Sequence, residues 1–465
     1  EKERNLGYKG KCVEAIPHIT GEILRRIEKA AELNGSNISL IEIGGTVGDY
    51  QNILFIEAAR VLKLKHPNDV LFILVSYLPV PSKIGEMKTR PTQNAVRMLN
   101  SYGVQPDIII ARSEIALDKK RKEKIAISCN VQENRVISAP DIESIYDVPI
   151  NFERDRIGET ILKALHLRPK ANCEGMDKWR AFVGTTTSSK DEISIAIVGK
   201  YFDTGDFVLS DAYISVIEAI KFSAFKQGFV PNISWLNAKD FEKSKRAVKM
   251  LSTYDGIIVP GGFGETGIEG KLSAIRYVRE QKIPYFGLCY GMQLAVVEYA
   301  RNVLGWEGAH TTEINPATEF PVIHIMPDQK KKLEEGNYGG SMRLGAYPAK
   351  LKKGSVAEES YGKSEIEERH RHRFEVNNGY IEELERAGLV FSGTSPDGKL
   401  MEIAELPKST HPFFLGTQFH PEFQARPLSP HPLFSEFIRA SIEFRKTKLS
   451  SQRAYKQKNL IEVLN

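Results

Sequence analysis

Apolar and polar positions follow two rhythms along the chain, short solid runs and runs in which apolar residues recur every three or four places. Between residue 13 and about residue 165 the two alternate. The solid runs "ISLIEIGG" (38–45), "VLFILVSY" (70–77) and "PDIIIAR" (106–112) predict strands, the first ending in two glycines and the second buried as a parallel strand. "EKIAISC" (123–129) and "NRVISAP" (134–140) predict two shorter strands. "QNILFIEAARVLKLK" (51–65) and "TQNAVRMLNSYG" (92–103) carry the helical period. Strands spaced by helices predict a doubly wound parallel sheet.

The pattern fades after His166. "LRPKANCEGMDKW" (167–179) and "GTTTSSKDE" (184–192) are polar and small, as in a linker holding at most a short helix. A second α/β pattern then begins at "ISIAIVGKY" (193–201). It runs through the helix "SDAYISVIEAIKFSAFKQG" (210–228), the strand "YDGIIVPGGFG" (254–264) and a strand–corner–helix, "KIPYFGLCYGMQLAVVEYARN" (282–302). "AGLVFSGTSPDGKLMEIAEL" (387–406) predicts a hairpin turning on Ser395–Gly398, and "FFLGTQFHPEF" (413–423) a further strand. The expected domains are 1–165, a linker over 166–191, a second domain over 192–446 and a basic, frayed tail over 447–465.

Composition narrows this little. The chain has 465 residues, 41% hydrophobic and 26% charged, enough for two or three full cores. A net charge of +5 is too small to imply a nucleic-acid partner. Four scattered cysteines (Cys12, Cys129, Cys173, Cys289) without a CxxC pair argue against a disulfide framework or structural zinc, and for a reducing, cytoplasmic setting. The most apolar run, 70–80, is too short to span a membrane.

The chemistry gathers at "GLCYG", a turn of nucleophile-elbow shape with Cys289 at its centre. The helix behind it favours thiolate over thiol. "PGGFG" (260–264) and the amide of Tyr290 are candidate donors for an oxyanion. "QFHPEF" supplies a base and its orienting group. On an extended segment His420 and Glu422 face one side, and Pro421 stiffens the backbone between them. A buried cysteine is more often mere packing, but glycines on both sides of this corner argue against that here.

These residues resemble the class I glutamine amidotransferases, which carry a Cys-His-Glu triad of this order. The resemblance implies a thiolate attacking the glutamine side-chain amide to release ammonia. It implies a glutamine pocket of Gly262, Phe263, Tyr290, Gln293 and Glu313, with Arg373 in "RHRHRFEVNN" on the α-carboxylate. "IEIGGTVGDYQNILFIEAAR", "GEMKTRPTQNAVR", "IPHIT", "NYGGSMRLG" and "ERHRHRFEVNN" extend the resemblance, from about Val13 to about Arg445, to the CTP synthase family. That implies a Rossmann-like, P-loop-type synthetase domain followed by the amidotransferase domain. It implies ATP-dependent amination of UTP to CTP with Mg²⁺, GTP as an activator, a homotetramer or filament, and no nucleic-acid or membrane partner.

Carried over residue by residue, the UTP and CTP site comprises Asp49, Lys88, Thr89, Arg90, Pro91, Thr92, Gln93 and Lys124. Cations in "KTRPTQ" suit a triphosphate, whereas Lys124 in "DKKRKEK" also reads as part of a solvated basic face. Glu42, taken as the end of a strand, is the expected Mg²⁺ ligand. Arg112, Asp141 and Ile142 fall near the adenine of ATP. Gln51, Ser128 and Thr266 depart from the family pattern, which has an acidic residue, an aromatic and an arginine there. No GxxxxGK[ST] occurs, so a fragment of a longer protein is the expectation. Glutaminase-only and non-catalytic homologues stay open as alternatives.

Overall fold

The computed structural model describes residues 2–83, 85–169, 174–189, 191–199, 213–244, 246–262, 264–325 and 342–450, and the backbone of 451–464. The chain divides into two compact units, Glu1–Arg180 and Ala181–Asn465.

In the first unit three strands, β1 (Ile73–Tyr77), β2 (Ile108–Ser113) and β3 (Val136–Pro140), form a parallel sheet in that order. Helices Ile53–Lys65, Arg90–Ser101 and Lys119–Cys129 accompany it, and Ile56, Leu74, Val96, Ile109 and Ile125 meet in one core. The arrangement is the predicted α/β one, with three corrections. "ISLIEIGG" forms no strand: residues 38–44 are irregular and solvent-facing, with Leu40 95% exposed. No ladder within the described residues takes up their backbone groups, and an apolar run alone does not make a strand. "VLFILVSY" is buried on one face only, because Ile73, Val75 and Tyr77 are exposed while Leu74 is buried. "EKIAISC" is a helix. Asp118 caps it by accepting the Arg121 amide, Asn130 ends it in the left-handed conformation, and Ile125, Ala126 and Cys129 form its buried face. The alternation Ile125, Ile127, Cys129 misled, since Ile127 points to solvent.

The second unit is built on a nine-stranded sheet. After β4 (Asp191–Gly199), β5 (Phe229–Asn237), β6 (Gly256–Val259) and β7 (Tyr285–Leu288) come β8 (Ala309–Thr311), β9 (Phe320–Ile325), β10 (Arg343–Leu351) and β11 (Glu365–His372). β12 (Phe374–Val376), β13 (Val390–Thr394), β14 (Met401–Leu406) and β15 (Phe414–Thr417) complete the set. The order is β11-β10-β13-β14-β15-β7-β6-β4-β5, and β12-β9-β8 form a small separate sheet. Ladders from β15 to β5 are parallel and those from β11 to β15 antiparallel. β6, β7 and most of β4 are continuous buried runs, as expected of parallel strands covered on both faces, whereas β5 at the sheet edge is only partly buried. The hairpin β13–β14 turns at Ser395–Gly398, where the Gly398 amide donates to the Ser395 carbonyl at 2.8 Å and φ at Gly398 is 74°.

The stretch expected as a linker holds a 14-residue helix, Gly175–Ser188, with Phe182 and Val183 buried. The tail expected to fray continues one helix, Pro432–Leu464. Cys173 lies outside the described residues.

Two glycines test this packing. A Cβ at Gly270 would lie 1.8 Å from the Ala238 carbonyl oxygen, whereas one at Gly184 would meet nothing within 4 Å. Gly270→Ala should therefore destabilise the second unit by about 1–3 kcal/mol. Gly184→Ala, inside an exposed helical turn, should stabilise it by about 0.5–1 kcal/mol. Thermal unfolding of the two variants reads both signs.

Candidate active site

Cys289 follows β7 directly and caps helix Tyr290–Asn302, with φ 50° and ψ −97°. Such a conformation costs a non-glycine residue about 1–3 kcal/mol and persists only where the surroundings impose it. The imposition is visible. The Cys289 amide donates to the Thr417 carbonyl of β15 at 2.6 Å, and its own carbonyl accepts the Gln293 amide at 3.2 Å. The glycines flanking the corner serve close approach. A Cβ at Gly291 would sit 2.2 Å from the Val259 carbonyl oxygen, and one at Gly287 would sit 2.7 Å from both the Gly291 carbonyl carbon and the Tyr285 hydroxyl. The Tyr285 hydroxyl donates to the Gly291 carbonyl at 2.9 Å, fixing the first helical turn on the sheet.

His420 and Glu422 meet as expected, Nδ1 to Oε1 at 2.8 Å, and both are buried. The backbone between them is not a strand. β15 ends at Thr417 and Pro421–Phe423 is a single 3-10 turn, with the Phe423 amide donating to the His420 carbonyl. Proline at its first position, which lacks an amide hydrogen to donate to a ladder, favours the turn. Burial opposes charge on the His420 ring, but the Glu422 carboxylate and the Cys289 sulphur outweigh it and hold the ring pKa well above its ordinary value. His420 Nε2 is buried with no hydrogen-bond partner among the described residues. The arrangement favours a protonated ring, with the Nε2 proton available for transfer beside the Cys289 sulphur. Gly261 lines the same space, and a Cβ there would lie 2.8 Å from His420 Cε1.

The expected glutamine pocket is partly assembled. Glu313 accepts the Gly264 amide at 3.1 Å, so that amide of "PGGFG" is already engaged. Glu313 also acts on the buried Tyr290 hydroxyl, whose pKa is raised by burial first and by that carboxylate second. Lys271 lies over the Tyr290 ring, 5.3 Å from its centroid. A Cβ at Gly262 would meet open space. Arg373 is half-buried at the turn between β11 and β12, and the next residue, Phe374, accepts Gln293 Nε2 at 2.9 Å. Phe263 lies outside the described residues.

Sequence reasoning missed two groups here. Gln418 donates from Nε2 to Cys289 Sγ at 3.6 Å and accepts from Gln293 at 3.2 Å. It stands two places before His420 in the same hexapeptide. The second group is a buried polar cluster in which Arg343 Nη1 lies 2.7 Å from Glu402 and 3.6 Å from Glu375, and His370 Nδ1 lies 3.0 Å from His372 Nε2. Burial keeps both rings neutral, lowering His370 to about 2 and His372 to about 3, and raises both carboxyls. One guanidinium serves two carboxyls, and the Glu402 carboxyl adds to burial in raising Glu375.

In the first unit, the loop before helix Arg90–Ser101 gathers most of the expected nucleotide residues. Thr89 caps the helix, and buried Gln93 donates to the Thr89 hydroxyl at 3.2 Å. Pro91 occupies the first turn, and Thr92 hydrogen-bonds Ser76 of β1 at 2.8 Å. Lys88 pairs with Glu86 at 2.6 Å, while Arg121 and Lys124 also act on that carboxylate. Arg90 is exposed at the helix start. Asp49 accepts the Thr46 amide at 2.8 Å. Arg112 and Asp141 lie 3.7 Å apart at the C-terminal ends of β2 and β3, with Ile142 next in the chain. Glu42 does not end a strand: it is exposed in the irregular stretch 38–44. No group of three His, Cys, Asp or Glu able to hold a metal occurs among the described residues.

Two substitutions probe the triad. Glu422→Gln removes the largest effect that raises the His420 ring pKa, so the ring should hold its proton less firmly and glutamine hydrolysis should fall by about 10²–10⁴ in kcat. The sign follows from what acts on the ring: without Glu422, only the Cys289 sulphur opposes the lowering effect of burial. Gly261→Ala should displace the ring and lower kcat by about 10²-fold while leaving far-UV circular dichroism unchanged.

Family models match both units: "CTP synthase N-terminus" over residues 1–167 and "Glutamine amidotransferase class-I" over residues 208–440. A CTP synthase of Caldanaerobacter subterraneus is 47% identical over 445 residues, 96% of this chain and 80% of the relative. One of Staphylococcus carnosus is 44% identical over 450 residues, 96% of this chain and 81% of the relative. Among solved structures, the Trypanosoma brucei CTPS glutaminase domain with bound acivicin matches 54% of this chain and 94% of its own, at 36% identity and a TM-score of 0.50. With its two α/β units matched in order and its relatives aligned across nearly all of its length, the chain belongs to the CTP synthase family.

Proposed function

We propose that the chain aminates UTP to CTP with ATP as co-substrate, and that its second unit supplies the ammonia by hydrolysing glutamine. The observation that carries this is Cys289 at a strained strand–helix corner acting on His420, which Glu422 pairs, in a chain whose first unit matches the CTP synthase N-terminus. The Cys289 sulphur attacks the glutamine carboxamide carbon, forming a C–S bond. His420, charged and steadied by Glu422, passes its Nε2 proton to the departing nitrogen as the C–N bond breaks, which releases ammonia. Water, deprotonated by the now neutral ring, then cleaves the thioester to glutamate. The Tyr290 amide, at the first helical position, is placed to donate to the oxyanion. Gly262, Gln293, Glu313 and Arg373 form the pocket for the amino-acid end.

In the first unit, Lys88, Arg90 and Lys124 receive the UTP triphosphate. The Lys88–Glu86 pair is solvent-exposed, and such pairs contribute about 0–1 kcal/mol, so a phosphate displaces Glu86 at little cost. The N-terminal end of helix Arg90–Ser101 adds the positive end of its dipole, although Pro91 has no amide hydrogen and the Gln93 amide is engaged by the Thr89 carbonyl. Arg112, Asp141 and Ile142 stand at strand C-termini, where parallel sheets bind nucleotides. Mg²⁺, when bound, neutralises charge on the phosphates. The described residues offer it no ready-made cage, so Glu42 would hold it only together with phosphate oxygens and water.

A chloroketone analogue of glutamine should alkylate Cys289 and none of the other cysteines, as read by peptide mass spectrometry. Modification elsewhere with Cys289 intact overturns the nucleophile assignment. Lys88→Ala should weaken UTP binding by about 10–100-fold, the loss of one charge-assisted hydrogen bond, and leave basal glutamine hydrolysis unchanged. Unchanged UTP affinity removes the loop from the site.

A further inference from the structure

Gln418 is completely buried two residues before His420. Its backbone amide donates to the Glu402 carbonyl at 2.8 Å. Its carboxamide bridges Gln293 and the Cys289 sulphur, accepting from Gln293 Nε2 at 3.2 Å and donating from Nε2 to Sγ at 3.6 Å. Gln293 Nε2 also donates to the Phe374 carbonyl at 2.9 Å.

An amide can present either end to a neighbour, but here the direction is set from the far end. The Phe374 carbonyl only accepts, so Gln293 must turn its NH₂ that way. The same NH₂ faces Gln418, which must answer with its oxygen. That leaves the NH₂ of Gln418 facing the sulphur. A neutral thiol gains little from a donor, whereas a thiolate gains a charge-assisted hydrogen bond.

We propose that Gln418 is a positioning residue for the nucleophile: its carboxamide, oriented by Gln293 and the Phe374 carbonyl, holds the Cys289 sulphur in place and favours its thiolate form. The inference rests on Cys289 being the nucleophile. Among the described residues, His420, backed by Glu422 on the segment after β15, and Glu375 on β12 act on the sulphur. Glu375 neighbours Arg343, Glu402 and His372. Gln418 itself does not titrate. Its removal therefore changes the reactivity of the sulphur without removing any group that gains or loses a proton.

The test follows alkylation of Cys289 by iodoacetamide in the whole chain between about pH 6 and pH 10, with kcat and KM for glutamine measured alongside. Gln418→Leu keeps the volume and removes the donor. Alkylation near neutral pH should slow about tenfold, the gap should close at the alkaline end, and kcat should fall more than KM rises. Gln418→Glu, which turns an acceptor to the sulphur, should slow it further. Gln293→Met frees the Gln418 carboxamide and should shift the profile the same way by less. If Gln418→Leu fails to fold, Gln293→Met decides alone. Profiles superimposing on that of the wild type overturn the proposal. Glutamine hydrolysis that survives in Cys289→Ser would instead overturn the nucleophile assignment on which it rests.

Discussion

The closeness with which helix Tyr290–Asn302 meets the sheet governs the site in the second unit. Gly291 lies against the Val259 carbonyl with no room for a methyl group, and Gly287 lies against the same helical turn. With the helix start so close to β6 and β7, the chain must reverse within one residue. That residue is Cys289, held at φ 50° by its hydrogen bond to β15. The strain is local, and the surrounding sheet, fully buried at β6, β7 and β15, resists its release. The same strand, β15, leads to Gln418, His420 and Glu422. The element that anchors the nucleophile thus also delivers its base.

Behind this corner the protein buries an unusual amount of polar chemistry. Arg343, His370, His372, Glu375 and Glu402 lie on four strands of the second unit, and each is largely shielded from water. Burial sets their protonation: the rings stay neutral and the carboxyls are raised. A Glu375 carboxyl that keeps its proton places no negative charge beside the sulphur, which would otherwise oppose the thiolate. The Cys289 environment is therefore set by groups on β12 and β14 as well as by its own corner.

The elbow, the base and the hairpin at Ser395–Gly398 were legible because each rests on short-range rules: glycines at a corner, an i, i+2 pair, a turn tetrapeptide. The parallel strands β1 to β4, β6, β7 and β15 were legible from apolar content, whereas β5, with Pro231, Asn232 and Ser234 in it, was not. What failed depended on partners distant in sequence. "ISLIEIGG" has a strand's composition but no ladder to join in the described structure, and Glu42 lost its expected setting with it. "EKIAISC" alternates like a strand, yet the Asp118 cap and the core beneath Ile125 and Cys129 make it a helix. The Arg343 cluster could not be read at all, because β10, β11, β12 and β14 bring its members together from four places in the chain. Gln418 was within reach, in the same hexapeptide as His420, but a neutral amide gives no sign of its direction until its partners are known.

The claim on which the rest depends is that glutamine passes through a covalent stage on Cys289. Rapid quenching of the chain during turnover of glutamine, followed by mass spectrometry of its peptides, reads this directly. One γ-glutamyl group is expected on the peptide that carries Cys289, accumulating within the first turnover and absent when glutamine is withheld. Turnover at the full rate with no adduct on that peptide, or with the adduct on another residue, would contradict it.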